Sequence, residues 1–353
     1  REFGEQAGKK LFPAMHEFYR LCGIRKPEHM GWTQVELDKK RYPRGRSQVI
    51  DTEFSLTEFG GELDRYLDSY EAIKKTVTEA EALIAPERKD AFFSHIKYQV
   101  FAAAAMSTKM LEAQRARSYS TGQCDESLWG RDKTMLSACA RSTKAYQEIK
   151  ELTDYYNNEM ANGKWKHSMC FYPRDLYVFY PPTLPIGLTD KEVDKYLAEG
   201  PKKTSSRKIK TDNYTQASEG ATPIQALGHS MNAVALPKGG SLTFEFDCPW
   251  EGEALLRTAV IPTQPNDKGD IRFSVSIDGG KPQVLSFREK GRTETWKRNV
   301  LRGQAVKETK HSLKKGKHTL TIKALDKHVV IDQWMLDFKP NRKFYVFPIE
   351  GNK

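Results

Sequence analysis

The stretch LTFEFD, residues 242–247, alternates apolar and polar side chains at every position. A period of two is typical of a β-strand with one buried face and one wet face. The stretch IRFSVSIDGG, residues 271–280, repeats the pattern and ends in an Asp-Gly-Gly turn signal. Further strand signals lie at residues 255–261, 283–287, 318–325 and 329–338. Short strands separated by turns predict an antiparallel β-sandwich in the last third of the chain.

Upstream, from about residue 5 to 162, the apolar residues recur at helical spacing. Ser55 and Glu58 have the spacing of a capping box, and apolar side chains from Phe59 onward fall on one stripe as far as Pro86. Further helices are predicted over residues 87–118, 126–160 and, in a shorter element, 11–21. Together these segments predict an antiparallel helical bundle.

Gly163 ends the helical region, and the chain is then aromatic and proline-rich before it becomes charged and turn-rich. We therefore predict three parts: a helical bundle over residues 1–162, a connector over residues 163–220, and a C-terminal β-sandwich over residues 221–353. The fold class is α + β, with the helices and the strands in separate domains.

Composition excludes several classes of protein. The chain has 353 residues, of which 38% are hydrophobic and 29% are charged, so it can bury a core and is not disordered throughout. Its longest apolar run, residues 100–106, is far shorter than the roughly 20 residues of a membrane span. The net charge of +11 favours anionic partners. No nucleic-acid motif accompanies the basic clusters at residues 202–210 and 310–317, so we expect solvated loops there and no nucleic-acid partner.

The sequence shows little sign of metal or redox chemistry. The five cysteines form no CxxC pair, and the eight histidines form no HExxH motif, so we expect neither a metal site nor a disulfide framework. A single cysteine pair could still be bridged. His311 and His318 flank a lysine-rich turn, where we expect them to be solvated.

Acid–base and phosphate-binding motifs are also weak. Glu245 and Asp247 share one face of a strand, where a wet surface is the expected role rather than a catalytic pair. The pairs Gly239-Gly240 and Gly279-Gly280 connect strands and predict hairpin turns.

Aromatic side chains provide the best binding candidates, because a pyranose ring stacks on an indole or a phenol. Tyr172, Trp250 and Trp296 are candidate platforms for a sugar. Arg174 and Arg292 are candidate partners for a sugar carboxylate through a bidentate fork. The alternative is that each aromatic side chain fills a core or an interface.

Seven segments in the two halves point to one known family. In the strand half they are ALGHSMNAVALP (226–237), AVIPTQPNDKGDIRFSVSIDGG (259–280), WKRNV (296–300) and GKHTLTIKALDKHVVIDQWMLDF (316–338). In the helical half they are IRKPE (24–28), YYNNEMANGKWKHSM (155–169) and YPRDLYVF (172–179). In sequence and order these segments resemble the C-terminal region of glycoside hydrolase family 115, and the resemblance spans nearly the whole chain.

The resemblance implies a helical bundle followed by a galactose-binding or jelly-roll-like sandwich. It also implies a parent α-glucuronidase that removes glucuronic acid, or its 4-O-methyl ether, from side branches of xylan or arabinogalactan with inversion. In the family the catalytic acid and base lie in a (β/α)₈ barrel, and the alternating strand and helix signals of a barrel are not found in these 353 residues. We therefore expect no catalytic residue and no cofactor here, and no activity of the chain alone.

Two readings of the chain's origin stay open: a fragment of a longer enzyme, favoured by Arg1 at the first position, or a natural relative without the barrel. The expected role is to support the catalytic barrel and dimer assembly, with a second copy as a candidate partner. The alternative is an independent carbohydrate-binding module for acidic plant polysaccharide. The substrate class implies a periplasmic or secreted location, and the choice between xylan and arabinogalactan stays open.

Overall fold

The structure is a computed structural model, and it forms two units. It describes residues 2–30, 35–36, 48–49, 51–59, 61–120, 134–173, 177–198, 215–264, 269–339, 341–342 and 344–348. Residues 1–22 and 26–206 form one unit, which we call the helical unit. Residues 23–25 and 207–353 form the other, which we call the sandwich unit. The division at residue 206 falls inside the predicted connector.

Six helices account for most of the described part of the helical unit. They are α1 (Glu5–Ile24), α2 (Glu62–Glu81), α3 (Lys89–Phe92), α4 (Tyr98–Ser120), α5 (Met135–Asn158) and α6 (Asp190–Leu197). Two short strands, β1 (Val35–Glu36) and β2 (Gln48–Val49), pair antiparallel. α4 packs against α2 and α5, and the small buried side chains of Ala104 and Ala105 allow a neighbouring element to approach closely.

The predicted helix over residues 87–118 is confirmed as α3 and α4, which a π-helical turn at Phe93–Lys97 joins. The third predicted helix corresponds to α5, and its residues 126–133 lie outside the described residues. The capping-box prediction at Ser55 is wrong, because α2 begins only at Glu62.

The physical reason for the late start of α2 lies in the backbone before it. Phe59 and Gly61 have φ angles of 55° and 70°, which an α-helix does not tolerate. The Ser55 hydroxyl accepts a hydrogen bond from the Glu58 amide at 2.9 Å, and the Glu62 carboxylate accepts one from the Ser55 amide at 2.8 Å. The predicted cap is therefore a turn that leads into the helix.

The described part of the sandwich unit contains two five-stranded antiparallel sheets and one helix. Its elements are β3 (Gln216–Ala217), β4 (Thr222–Gln225), β5 (Asn232–Leu236), β6 (Ser241–Cys248), β7 (Gly252–Val260), β8 (Arg272–Ile277), β9 (Gln283–Ser286), α7 (Glu294–Arg302), β10 (Ala305–Leu313), β11 (Gly316–Ala324) and β12 (Val329–Asp337). One sheet has the order β10-β7-β12-β5-β4, and the other has the order β3-β6-β11-β8-β9. The predicted α + β fold with an antiparallel sandwich is confirmed.

The core lies between the two sheets. Apolar side chains of both contribute to one buried cluster, including Phe244 and Phe273 from one sheet and Leu256 and Ile331 from the other. The alternation predicted for β6 is present, since Leu242, Phe244 and Phe246 are buried while Glu245 and Asp247 are exposed. This alternation places every second residue of a strand in the core and the rest on the surface.

The two predicted glycine turns have different outcomes. Gly279-Gly280 connects β8 and β9, which pair antiparallel, so this hairpin is confirmed. Gly239-Gly240 connects β5 and β6, which belong to different sheets, so the predicted hairpin there is wrong. Turn residues indicate a reversal of the chain, but they do not say which sheet the next strand joins. Separately, none of the helices in the described ranges combines the length and the apolar character needed to cross a bilayer.

Candidate functional site

Helix α7 carries one of the predicted binding residues, Trp296, and the turn before the helix carries another, Arg292. Thr293 is the N-cap residue: its hydroxyl donates to the Lys290 carbonyl at 2.9 Å and accepts from the Trp296 amide at 3.2 Å. Arg292, directly before the cap, has a φ of 67°, a left-handed conformation that is uncommon for residues other than glycine. The turn therefore presents Arg292 and Trp296 at the same end of one helix.

The segment that contains α7 is strongly basic. Residues 288–302 carry six cationic and two acidic side chains. Both acids are already paired: Glu289 lies 3.2 Å from the ammonium of Lys307, and Glu294 lies 2.7 Å from that of Lys297. The segment therefore keeps an excess of positive charge after its own carboxylates are neutralised.

The remaining cations lie close in sequence to apolar side chains of α7. Lys290, Arg292 and Arg298 are exposed, and in the part of the chain that the structure describes none of them has an ion-pair partner. Trp296 is half-buried and Val300 is 44% exposed, one helical turn apart on the same face. Arg298 is two residues from both Trp296 and Val300, which places it on the opposite side of α7. We call Lys290 and Arg292, which precede the helix, together with Trp296 and Val300 the basic helix face.

Trp250 lies elsewhere on the sandwich unit. It is 60% exposed in the loop before β7, and its ring centroid is 5.7 Å from that of Phe338. β7 runs from Gly252, beside this loop, to Val260, which pairs with Ala305 where the chain leaves α7. The nine residues of β7 span about 27 Å. Trp250 is therefore about the length of strand β7 away from the C-terminal end of α7.

Tyr172 lies in the helical unit, in a cluster of tyrosines. Its hydroxyl is 3.0 Å from that of Tyr146, and its ring stacks on Tyr180 with centroids 5.0 Å apart. Burial and the hydrogen bond with Tyr172 raise the pKa of Tyr146 to about 12. The buried ammonium of Lys109 donates to the Tyr180 carbonyl at 2.9 Å, which ties the cluster to α4. Arg174 lies outside the described residues.

The structure thus brings two of the predicted residues, Arg292 and Trp296, to the same end of α7. Trp250 lies elsewhere on the sandwich unit, and Tyr172 lies in the helical unit. Lys290 and Val300, which complete the basic helix face, were missed by sequence reasoning. The density of cations around WKRNV was the available signal. A helix of nine residues is too short for a periodic pattern to predict it reliably.

His318 differs from its expected solvated state. Its side chain is 10% exposed, and its ring stacks on Phe246 with centroids 5.6 Å apart. Nδ1 lies 2.6 Å from a carboxylate oxygen of Asp278, and Nε2 lies 2.7 Å from the Lys314 carbonyl. Both ring nitrogens face acceptors, so the charged, doubly protonated ring satisfies them best. The hydrogen bond to Asp278, followed by that to Lys314, raises the pKa of His318.

Two buried carboxylates have structural roles in ion pairs with arginine side chains. In the helical unit, Glu112 lies 3.0 Å from the Arg115 Nε and 3.1 Å from an Arg141 guanidinium nitrogen, and its side chain is fully buried. Burial alone would raise the pKa of Glu112, but the two guanidinium groups outweigh it and hold the pKa below its ordinary value. Glu112 is therefore a buried anion held in ion pairs.

Asp337 has the same role in the sandwich unit. It accepts hydrogen bonds from the guanidinium groups of Arg257 and Arg342 and, at 2.8 Å, from the Lys339 amide. Burial alone would raise the pKa of Asp337, but these donors outweigh burial and hold the pKa below its ordinary value. The carboxylate therefore acts as a fixed anion between two arginines.

All described carboxyl groups with a clearly perturbed pKa share this direction. The pKa is lowered at Glu79, Glu112, Glu192, Asp270, Asp278, Asp326 and Asp337. A general acid for glycoside hydrolysis needs the opposite direction, a raised pKa that keeps its proton available. Within the same residues, no group of three or more His, Cys, Asp or Glu side chains is placed to hold a metal ion.

Comparison with known proteins gives one specific result. Residues 204–350 match the family model of the glycosyl hydrolase family 115 C-terminal domain. A solved family 115 4-O-methyl-α-glucuronidase, with specificity for decorated arabinogalactans, is 31% identical and superimposes with a TM-score of 0.71. The match covers 95% of this chain and 40% of that chain, so this chain spans less than half of the enzyme's length.

Two carbohydrate-binding modules match the chain more distantly. A family 6 module of a laminarinase from Zobellia galactanivorans is 15% identical, over 38% of this chain and 99% of its own, with a TM-score of 0.27. A family 35 module from Clostridium thermocellum is 14% identical, over 36% of this chain and 93% of its own, with a TM-score of 0.29. No curated protein matches the chain. The family model and the enzyme that matches nearly the whole chain agree, and the chain belongs to glycoside hydrolase family 115, with the family's C-terminal domain at residues 204–350.

Proposed function

We propose that this chain is the non-catalytic C-terminal part of a family 115 α-glucuronidase. The parent enzyme would remove glucuronic or 4-O-methylglucuronic acid side branches from a plant polysaccharide, either xylan or arabinogalactan, outside the cytoplasm. The chain would support the catalytic domain and the assembly of the enzyme.

One observation carries the proposal: the buried carboxylates are occupied by structural contacts. Glu112 and Asp337 are each held by two arginines, with their pKa values lowered. Inverting hydrolysis needs two carboxyl groups about 6.5–9.5 Å apart, one of them with a raised pKa and the other positioned to activate a water. Anions bound between arginines can serve neither role without losing the contacts that hold the fold.

The experiment is an assay of uronic acid release by the purified chain from glucuronoxylan and from decorated arabinogalactan. A complete family 115 enzyme on the same substrates is the positive control. We expect no release above the blank from this chain. Release of uronic acid that persists through purification of the chain would overturn the proposal.

The assembly part of the proposal is supported by an apolar surface on α1. Phe12 is 68% exposed and Tyr19 is 63% exposed, and the Phe12 ring contacts that of His16 in a tilted arrangement with centroids 4.6 Å apart. Large aromatic side chains so exposed on one helix are typical of a surface that a partner covers. The proposed partner is a second copy of the chain.

Light scattering coupled to size exclusion tests this assembly. We expect a mass of twice 40.4 kDa for the chain, and a monomer for the double variant Phe12→Ser, Tyr19→Ser. Val284→Ser, which removes a side chain that is 57% exposed on the sandwich unit, is the matched control and should leave the dimer intact. A monomeric wild-type chain, or a dimer that the double variant retains, would contradict the assembly role.

A further inference from the structure

We propose that the basic helix face binds the uronic acid residues of an acidic polysaccharide. This would be a binding function in addition to the non-catalytic role, and the choice of a uronic acid rests on the proposed function. The residues involved are Lys290, Arg292, Trp296 and Val300.

The charge of the face selects an anionic ligand. Lys290 and Arg292 are exposed, and among the described residues no carboxylate pairs with them. The two acids of the same segment are engaged by Lys307 and Lys297, so they do not compete for these cations. A carboxylate of a ligand is the group that this surface lacks, and a guanidinium binds it in a bidentate manner.

The apolar part of the face selects a ring rather than a small ion. Trp296 and Val300 lie one turn apart on one side of α7, and an indole provides a flat apolar area that fits the apolar face of a pyranose. A uronic acid combines such a ring with one carboxylate. The pairing of Trp296 with Arg292 matches both parts of that ligand.

The turn before α7 supports this role because it fixes the two groups relative to each other. The Thr293 hydroxyl bonds both the Lys290 carbonyl and the Trp296 amide, at 2.9 and 3.2 Å. Arg292, between these partners, keeps a left-handed backbone at a φ of 67°. Backbone strain of this kind is retained where the surroundings determine the conformation, and it fixes in advance the direction in which the side chain leaves the backbone.

The test is affinity electrophoresis of the native chain through gels that contain glucuronoxylan. The matched polymer is the same glucuronoxylan after chemical reduction of its carboxyl groups. Arg292→Gln and Trp296→Ala are compared with Trp250→Ala and Lys315→Gln, which alter an exposed aromatic and an exposed cation at other places on the sandwich unit. Circular dichroism confirms that each variant is folded.

We expect retardation by the native polymer, about tenfold weaker apparent affinity for Arg292→Gln and for Trp296→Ala, and little change in the two control variants. Carboxyl reduction should weaken retardation by a similar factor, and 0.3 M salt should weaken it further. Equal retardation by native and reduced polymer, or an equal loss in the control variants, would overturn the proposal. Tighter retardation by duplex DNA than by glucuronoxylan, lost in the same variants, would assign the face to nucleic acid instead.

The outcome is separable from that of the proposed function. A chain that neither binds the polymer nor releases uronic acid refutes only the binding site. A chain that releases uronic acid refutes the non-catalytic role, whatever its retardation in the gel.

Discussion

Substitution of Asp332 by alanine should destabilise the sandwich unit strongly. Asp332 lies at a β-bulge in β12, where the register with β7 shifts between Ile331 and Gln333. Its carboxylate, in a side chain that is 5% exposed, accepts hydrogen bonds from the His229 amide at 2.9 Å and from the Ser230 amide at 3.1 Å. The same carboxylate accepts from the Gln304 side chain at 2.5 Å. One group therefore anchors the turn before β5 and the start of β10.

The magnitude follows from the donors that the substitution would leave behind. Asp332→Ala removes the acceptor of two backbone amides and one side-chain amide, and each buried donor left without a partner costs about 1–3 kcal/mol. Partial relaxation and entry of water reduce the total, so we expect a loss of about 3–5 kcal/mol. For a unit of this size that loss corresponds to a fall in Tm of about 10 °C. Asp332→Asn keeps the shape and one oxygen acceptor, and we expect about half the effect.

Differential scanning calorimetry of the whole chain measures this change. The control is Asp326→Ala, which removes a carboxylate whose partner, the Arg272 side chain, is 45% exposed. A pair this close to the surface contributes about 0–1 kcal/mol. Gly228→Ala is an independent check, because a Cβ at Gly228 would overlap the Asp332 carboxylate at a φ of +77°. Equal shifts for Asp332→Ala and Asp326→Ala would refute the reasoning.

Three further predictions concern buried or paired ionisable groups. The pKa of His318 should lie above its ordinary value. The stabilisation from its contacts with Asp278 and the Lys314 carbonyl is therefore full below about pH 6.5 and is lost as the pH rises through the folded-state pKa. Proton NMR titration of the ring measures this pKa, and a value at or below about 6.5 would contradict the prediction. Burial lowers the pKa of the Lys109 ammonium to about 7. Between pH 7 and about 10 the lysine is therefore protonated mainly in the unfolded chain. The free energy of unfolding should rise with pH over this range, by up to about 1.4 kcal/mol per pH unit. Urea titrations at several pH values test this slope, which Lys109→Met should flatten; an unchanged slope in the variant would assign it to other groups. Glu112→Gln should cost the helical unit about 3–5 kcal/mol in urea unfolding, because it removes the buried carboxylate that Arg115 and Arg141 share, while Arg115 keeps its ion pair with Asp64. A loss below about 1 kcal/mol would show that the ion pairs of Glu112 are not needed.

Local patterns predicted the strands better than the helix boundaries. β6 and β8 have one buried face, so their period of two is visible in the sequence. β10 (AVKETKHSL, 305–313) was missed because it lies at the edge of its sheet. Polar side chains there interrupt the alternation of apolar and polar residues that predicts a strand. α2 starts late because left-handed residues at Phe59 and Gly61 interrupt the helix, and the spacing of apolar residues carries no information about φ.

The sequence could predict individual residues of the candidate site but not their arrangement in space. Arg292 and Trp296 could be proposed from residue type, but their presentation depends on the Thr293 turn. His318 was expected to be solvated, because Asp278 is 40 residues away in sequence and reaches it only through the pairing of β8 with β11. Contacts of that kind depend on strand register, which sequence patterns of a single chain do not determine.

We infer that the buried carboxylates of Glu112 and Asp337 are structural anions rather than acid–base groups. Carbon-13 NMR titration of the aspartate and glutamate side-chain carboxyls tests it most directly, with Glu112→Gln and Asp337→Asn used to assign the two key signals. We expect both carboxyls to stay ionised at pH values below their ordinary pKa, about 4.3 for glutamate and 3.9 for aspartate, until the fold is lost. A buried carboxyl in the folded chain that takes up its proton above about pH 6, as a general acid would, would contradict it.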